Sequence, residues 1–207
     1  MIDQSFEKLV DSLAAKTPTP GGGAAAALAG CMGAALLLMV VRMARGRKAN
    51  VAREEELAKV EQWLAGHVER LKPMADRDCK AYDRVMAAYA MPKDSDEQKA
   101  LRDRVIQESM VGAMVVPEET LCMVRDVFEA VEGVLDCVHK GPVSDMASGS
   151  ALLVAAADAA LLNVRINAAF LHDRTLADET MVRAKAVRKD IQRRHEALQE
   201  KVEKLLA

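Results

Sequence analysis

Three segments of this 207-residue chain carry more polar chemistry than a plain helical protein needs. The first is Pro20, Gly21, Gly22 and Gly23, within the run TPTPGGG. Bare N–H groups at such a turn, opening a helix, can receive an anion or a carbonyl oxygen. A tight inter-helix turn explains the same glycines. The second segment runs from Asp78 to Lys93. Asp78, Tyr82, Val85 and Tyr89 follow i, i+4, i+7 and i+11 spacing. One helical face therefore carries a carboxylate and two phenols, with Met86 in the same stretch and Lys93 just past the helix end. Half-buried tyrosines with wet hydroxyls give the same pattern. In the third segment Ser144 and Asp145 open a helix, and Asn163, Arg165 and Asn167 interrupt an otherwise apolar one. Asn163 and Asn167 share a face. Buried amides need partners, supplied either by a neighbouring helix or by a ligand.

This inventory suits proton transfer by carboxylates and a lysine, with amides and backbone for binding. Asp78, Lys93 and Asp145 are the catalytic candidates. Pro20, the three glycines, Tyr82, Met86, Tyr89, Ser144, Asn163 and Asn167 are the binding candidates. Neither HExxH nor a paired Cys/His spacing occurs, so no built-in metal is expected. GxSxG and Walker A sequences are absent as well. PTPGGG follows a helix rather than a strand, which separates it from a dinucleotide fingerprint. His67, His139, His172 and His195 are scattered and read as surface or packing residues. Cys31, Cys79, Cys122 and Cys137 form no CxxC pair and read as buried thiols of a reducing compartment.

The elements that must position these groups read as helices throughout. Hydrophobic residues make up 51% of the chain and charged residues 29%, with only three Phe, two Tyr and one Trp. That composition is globular and favours helix formers over strand formers. Apolar periodicity predicts a helix over 2–15, an uncharged one over 24–41, then helices over 50–71 and 76–91. Pro117 is expected to separate a helix over 96–116 from another over 118–139. Ser144 reads as the N-cap of a helix reaching about residue 172, and 175–206 forms the last. No stretch alternates with period two. The expectation is an all-α, single-domain bundle of long antiparallel helices over 1–207. The run 24–41 is near the length of a membrane span and is followed by Arg42, Arg45, Arg47 and Lys48. Half of it is Ala or Gly, however, which suits close packing at the centre of a bundle. A net charge of −2 gives no reason to expect nucleic acid or an anionic membrane as a partner. The N-terminal stretch lacks the apolar core of a secretory signal, so a cytoplasmic location is expected.

The three segments together resemble one family, the formiminotetrahydrofolate cyclodeaminases and methenyltetrahydrofolate cyclohydrolases. SLAAKTPTPGGGAAAALAGCMGAALLLMVVRMARGRK is similar to its SPTPGGG signature and the small-residue helix behind it. DCKAYDRVMAAYAMPK resembles DAxAFxxVMxAYxLPK, and VSDMASGSALLVAAADAALLNVRIN resembles the family's SD…LLNVxIN stretch. Three departures stand out. HKGPVSD lacks the GNxN that usually precedes SD, Glu118 replaces a usual Leu in VPEETLC, and Ala24 stands where Ser is common. The resemblance implies an all-helical homodimer that binds folate in a cleft near the interface, with no other cofactor. It places the proton-transfer aspartate on Asp78, the LPK lysine on Lys93 and the SD aspartate on Asp145. The implied reaction is hydrolysis of 5,10-methenyltetrahydrofolate to 10-formyltetrahydrofolate. Formiminotetrahydrofolate cyclodeamination with release of ammonia is the alternative, and a non-catalytic helical scaffold or membrane-associated protein is the third reading. Because no formiminotransferase segment accompanies these motifs, the hydrolase is expected first. Arg42, Arg45, Arg47 and Lys48 are candidates for the anionic folate tail, but a solvated basic helix end is the favoured reading of them.

Overall fold

The computed structural model describes residues 4–207, and Ile2, where the first helix was expected to begin, lies outside them. Seven α-helices in chain order make up the described architecture: α1 (Phe6–Ala14), α2 (Gly22–Ala44), α3 (Glu54–Leu71), α4 (Met74–Tyr89), α5 (Asp96–Glu132), α6 (Val143–Ala169) and α7 (Arg174–Leu206). Short 3-10 turns at Lys48–Arg53 and Leu135–Cys137 join them, and no strand occurs among the described residues. The all-α expectation holds.

The least polar helices lie at the centre. α2 packs most extensively on α6, and α5 lies across both. Small residues make that contact close. A Cβ on Gly33 would sit 2.8 Å from the Gly149 carbonyl oxygen, and one on Gly149 would sit 3.0 Å from that of Gly33. Two backbones touch there, and only glycine on both helices allows it. Leu37, Leu57, Leu64, Leu121, Met146, Leu153 and Ile191 fill the surrounding core with 0% exposure. α2 and α6 are both long and apolar enough to cross a membrane by length and composition. Here they are packed against each other inside the bundle.

Two boundaries differ from expectation. α5 runs through Pro117 without a break, so the helices expected over 96–116 and 118–139 are one helix of 37 residues. A proline inside a helix removes one N–H and costs about 3 kcal/mol in isolation. Burial of the ring and packing of α5 on α4, α6 and α7 offset that cost. Ser144 does not cap α6. Pro142 holds the N-cap position, and the helix starts at Val143. Proline at a helix start forgoes an N–H that would have had no partner. Elsewhere capping follows the usual chemistry. Ser95 and Gln98 form a capping box on α5, and Asp173 caps α7 through the Leu176 N–H.

Candidate active site

α2 begins on bare glycine backbone. Gly21 is its N-cap and offers no side chain to the unpaired N–H groups of the first turn. Asp78 on α4 supplies what is missing by accepting the Ala24 N–H. The approach is very close, since a Cβ on Gly23 would lie 2.1 Å from Asp78 Oδ1 and 2.6 Å from its Cγ. Glycine at position 23 is therefore required by the carboxylate, not by backbone conformation, because the only positive-φ glycine among the described residues is Gly46. Burial pushes the Asp78 carboxyl above its ordinary range, and the Ala24 N–H pulls it partly back. The positive end of the α2 dipole acts in the same direction as that N–H.

Around this pair lies a cavity of about 260 Å3. The glycine turn (Pro18, Thr19, Gly21, Gly22, Gly23) forms one wall, Asp78, Tyr82 and Val85 of α4 a second, and Met110 and Ala113 of α5 a third. Asn163, Ile166, Asn167 and Phe170, at the C-terminal end of α6, close it. The two asparagines are tied through their amide nitrogens. Asn163 Nδ2 donates to the Ala159 carbonyl at 2.8 Å, and Asn167 Nδ2 donates to the Ala113 carbonyl at 2.8 Å. Gly22 faces Asn163, where a Cβ would come within 3.3 Å of the amide nitrogen.

Three segments distant in sequence thus converge, and Asp78, Tyr82, Gly21, Gly22, Gly23, Asn163 and Asn167 meet at one cavity. The remaining candidates do not reach it within one chain. Pro20 sits in the turn behind a cis Thr19–Pro20 bond without lining the cavity. Met86 and Tyr89 are exposed on α4, and Arg102 lies over the Tyr89 ring at 5.6 Å. Lys93 follows the end of α4 and is exposed, with Asp78 eleven residues before that end, about 16 Å of helix rise. Ser144 and Asp145 stand at the opposite end of α6 from Asn163, roughly 27 Å away by helix rise. Arg42 and Arg45 are committed to ion pairs with Glu61 and Glu54 at the far end of α2, which removes them as contacts for a ligand in this cavity. Glu118, the unusual residue after Pro117, pairs with Arg183 of α7 at 3.1 Å.

Sequence reading missed Met110, Ala113, Ile166 and Phe170. Ala113 contributes a backbone carbonyl, which no side-chain pattern signals, and Ile166 and Phe170 are apolar side chains, half-exposed at the cavity, with no polar group to mark them. Two of the histidines, His67 and His195, pack inside the bundle on hydrogen bonds of their own. His67 Nε2–H donates to the Met123 carbonyl and its ring stacks on Trp63, while His195 is hydrogen-bonded to Ser150 at 2.6 Å. Among the described residues no group of three or more His, Cys, Asp or Glu side chains is arranged to hold a metal ion.

Comparison with known proteins places this arrangement. The formiminotransferase-cyclodeaminase family model matches residues 5–186. A methenyltetrahydrofolate cyclohydrolase of Methylorubrum extorquens is 40% identical over 181 residues, covering 86% of each protein. The formimidoyltransferase-cyclodeaminase of Rattus norvegicus is 26% identical over 180 residues, and the match spans 33% of that longer protein. The crystal structure of a formiminotetrahydrofolate cyclodeaminase from Thermotoga maritima superposes with a TM-score of 0.88 at 24% identity, over 100% of this chain and 99% of the other, which bears on the fold alone. With the family model spanning most of its length, this chain belongs to the formiminotransferase-cyclodeaminase family.

Proposed function

We propose that the protein hydrolyses 5,10-methenyltetrahydrofolate to 10-formyltetrahydrofolate, with Asp78 as the proton-transferring group. The observation that carries this reading is the Asp78 site itself: a carboxylate held against the glycine N-terminus of α2, raised by burial, and open to a cavity lined by amides. The substrate's one-carbon centre belongs to a delocalised amidinium cation and is already electrophilic. An ionised Asp78 stabilises that cation and takes a proton from attacking water. As the tetrahedral adduct collapses, the bond from the one-carbon centre to N5 breaks and Asp78 returns its proton to the departing nitrogen, while the adduct's hydroxyl gives up its own proton to solvent as the formyl C=O forms, which is the one net proton the reaction releases. A carboxyl raised toward neutrality serves both halves of this cycle better than an ordinary one. The reaction asks for no cofactor beyond the folate substrate. The 40% identity to a protein named for this activity supports the same reading.

The bundle acts as a cytoplasmic homodimer, without nucleic acid or membrane as partner. The exposed apolar side chains Met32, Met39 and Met43 of α2 and Leu162 of α6 suit a face covered by a second copy. The roles that resemblance gives Lys93 and Asp145 then belong to a neighbouring subunit's cavity, since neither reaches the cavity of its own chain.

Cyclodeamination of formiminotetrahydrofolate is the second reading, favoured by the family itself and by the rat relative. The deciding experiment follows the near-ultraviolet band of methenyltetrahydrofolate with purified protein and with Asp78→Asn. Enzyme-dependent decay that disappears in the variant is the expected result. Absence of decay, together with ammonia release from formiminotetrahydrofolate, would establish the deaminase instead. Failure of both, with no rise in melting temperature on adding a folate analogue, would leave the scaffold reading.

A further inference from the structure

Pro117 lies inside α5 and cannot donate to the carbonyl four residues before it, which is that of Ala113. That carbonyl faces the cavity wall, where Asn167 Nδ2 of α6 donates to it at 2.8 Å. The missing helix bond and the asparagine contact thus fall on the same oxygen. A buried carbonyl deprived of its helical partner must find another, and the asparagine amide is the one it finds. We propose that Pro117 is a positioning residue for the candidate active site. By withholding its N–H it reserves the Ala113 oxygen for Asn167, fixing that amide so that its Oδ1 is presented to the cavity as an acceptor for an N–H of the bound substrate.

Several features of the site agree with this assignment. The proline ring and Ala113 are both buried, so water does not readily take the asparagine's place. Asn163, one turn earlier on α6, has its nitrogen tied to a carbonyl in the same way, through Ala159 of its own helix. α6 therefore offers the cavity two amides whose orientation is set by backbone, but only Asn167 depends on a second helix. An ordinary residue at 117 would restore the α5 hydrogen bond and let the Asn167 amide turn. The functional part of this proposal rests on the folate-hydrolase reading, whereas the orientation of the amide does not.

Two measurements separate the parts. In substrate-free protein, the Asn167 side-chain amide is followed by 1H–15N spectroscopy in wild type and Pro117→Ala. Its protons should lose protection from exchange in the variant, while the Asn163 amide keeps its own. With methenyltetrahydrofolate, Pro117→Ala and Asn167→Ala should each lower kcat/KM about tenfold, the loss expected for one oriented hydrogen bond. The double variant should be no worse than either, because both changes remove one interaction. Asn167→Asp, which keeps the shape but lacks the N–H, guards against poor folding of the proline variant and should show the same loss. An Asn167 amide unchanged by Pro117→Ala overturns the proposal, and so do losses that multiply in the double variant or full activity in Asn167→Asp. If the wild type hydrolyses no folate while the amide responds as expected, the activity reading fails and the positioning device stands.

Discussion

Asp78 pays for its place in a hydrophobic wall with a shifted proton affinity. Burial raises its pKa, so over the range between its unfolded and folded values the native state holds more protons than the unfolded chain. Stability contributed at this site is therefore greatest at low pH and falls as pH rises through that range. Asp78→Asn removes the ionisation but keeps an acceptor for the Ala24 N–H. Thermal unfolding should find the variant at least as stable as wild type at pH 7, with the difference vanishing below the unfolded carboxylate pKa. Catalysis moves in the opposite direction, because the base must be ionised. The acidic limb of wild-type kcat/KM should lie above the ordinary carboxylate range, and Asp78→Asn should lack it along with most turnover. Gly23 tests the same geometry from the other side. Gly23→Ala drives a methyl into the carboxylate, and displacing a catalytic group by about 1 Å costs on the order of 100-fold in kcat. Steady-state kinetics of a variant that keeps its helical circular dichroism would check this, and activity within twofold of wild type would contradict the close approach.

At the level of helices, the site depends on α2 and α6 presenting opposite ends to one place: the N-terminus of α2 and the C-terminal turns of α6. Their register is fixed by the Gly33–Gly149 contact. Gly33→Leu should destabilise the protein by about 2 kcal/mol or more through overpacking, and should also lower activity by parting Gly22 from Asn163. Denaturant unfolding measures the first effect and kinetics the second, and a stable, fully active variant would mean that this contact does not set the register. Much of this level was legible beforehand. The uncharged run after TPTPGGG, the Asp78–Tyr82–Val85 face and the Asn163/Asn167 pair all reappear in the structure as elements around one cavity. Errors arose where backbone, not side-chain pattern, decides. Pro117 read as a helix end because local propensity says so, but tertiary packing carried the helix through it. Ser144 read as a cap, yet the proline two residues earlier had already started the helix. The tie between Ala113 and Asn167 spans 54 residues and involves a main-chain oxygen, so no sequence periodicity encodes it.

For the whole molecule, the described chain leaves two things unaccounted for. α1 is amphipathic yet buries none of its residues, and Phe6 remains 75% exposed. Lys93 and Asp145, carried over from the family resemblance, do not line the cavity of their own chain. A second copy resolves both if it covers the apolar surface and brings its own polar groups to the neighbour's cavity. Subunit complementation distinguishes this arrangement from two independent sites. Asp78→Asn and Lys93→Ala should each be nearly inactive as homodimers. Mixed and allowed to exchange, half of the dimers become heterodimers. In each, the Lys93→Ala subunit keeps its own Asp78 and faces an intact Lys93 from its partner. One of its two sites is therefore complete, so about a quarter of all sites regain function. If Lys93 instead served its own chain, neither subunit of the heterodimer would hold a complete site, and mixing would restore nothing. Sedimentation equilibrium on the same samples confirms that dimers are present when the activity is read, and a monomer with wild-type activity would rule out the shared site altogether.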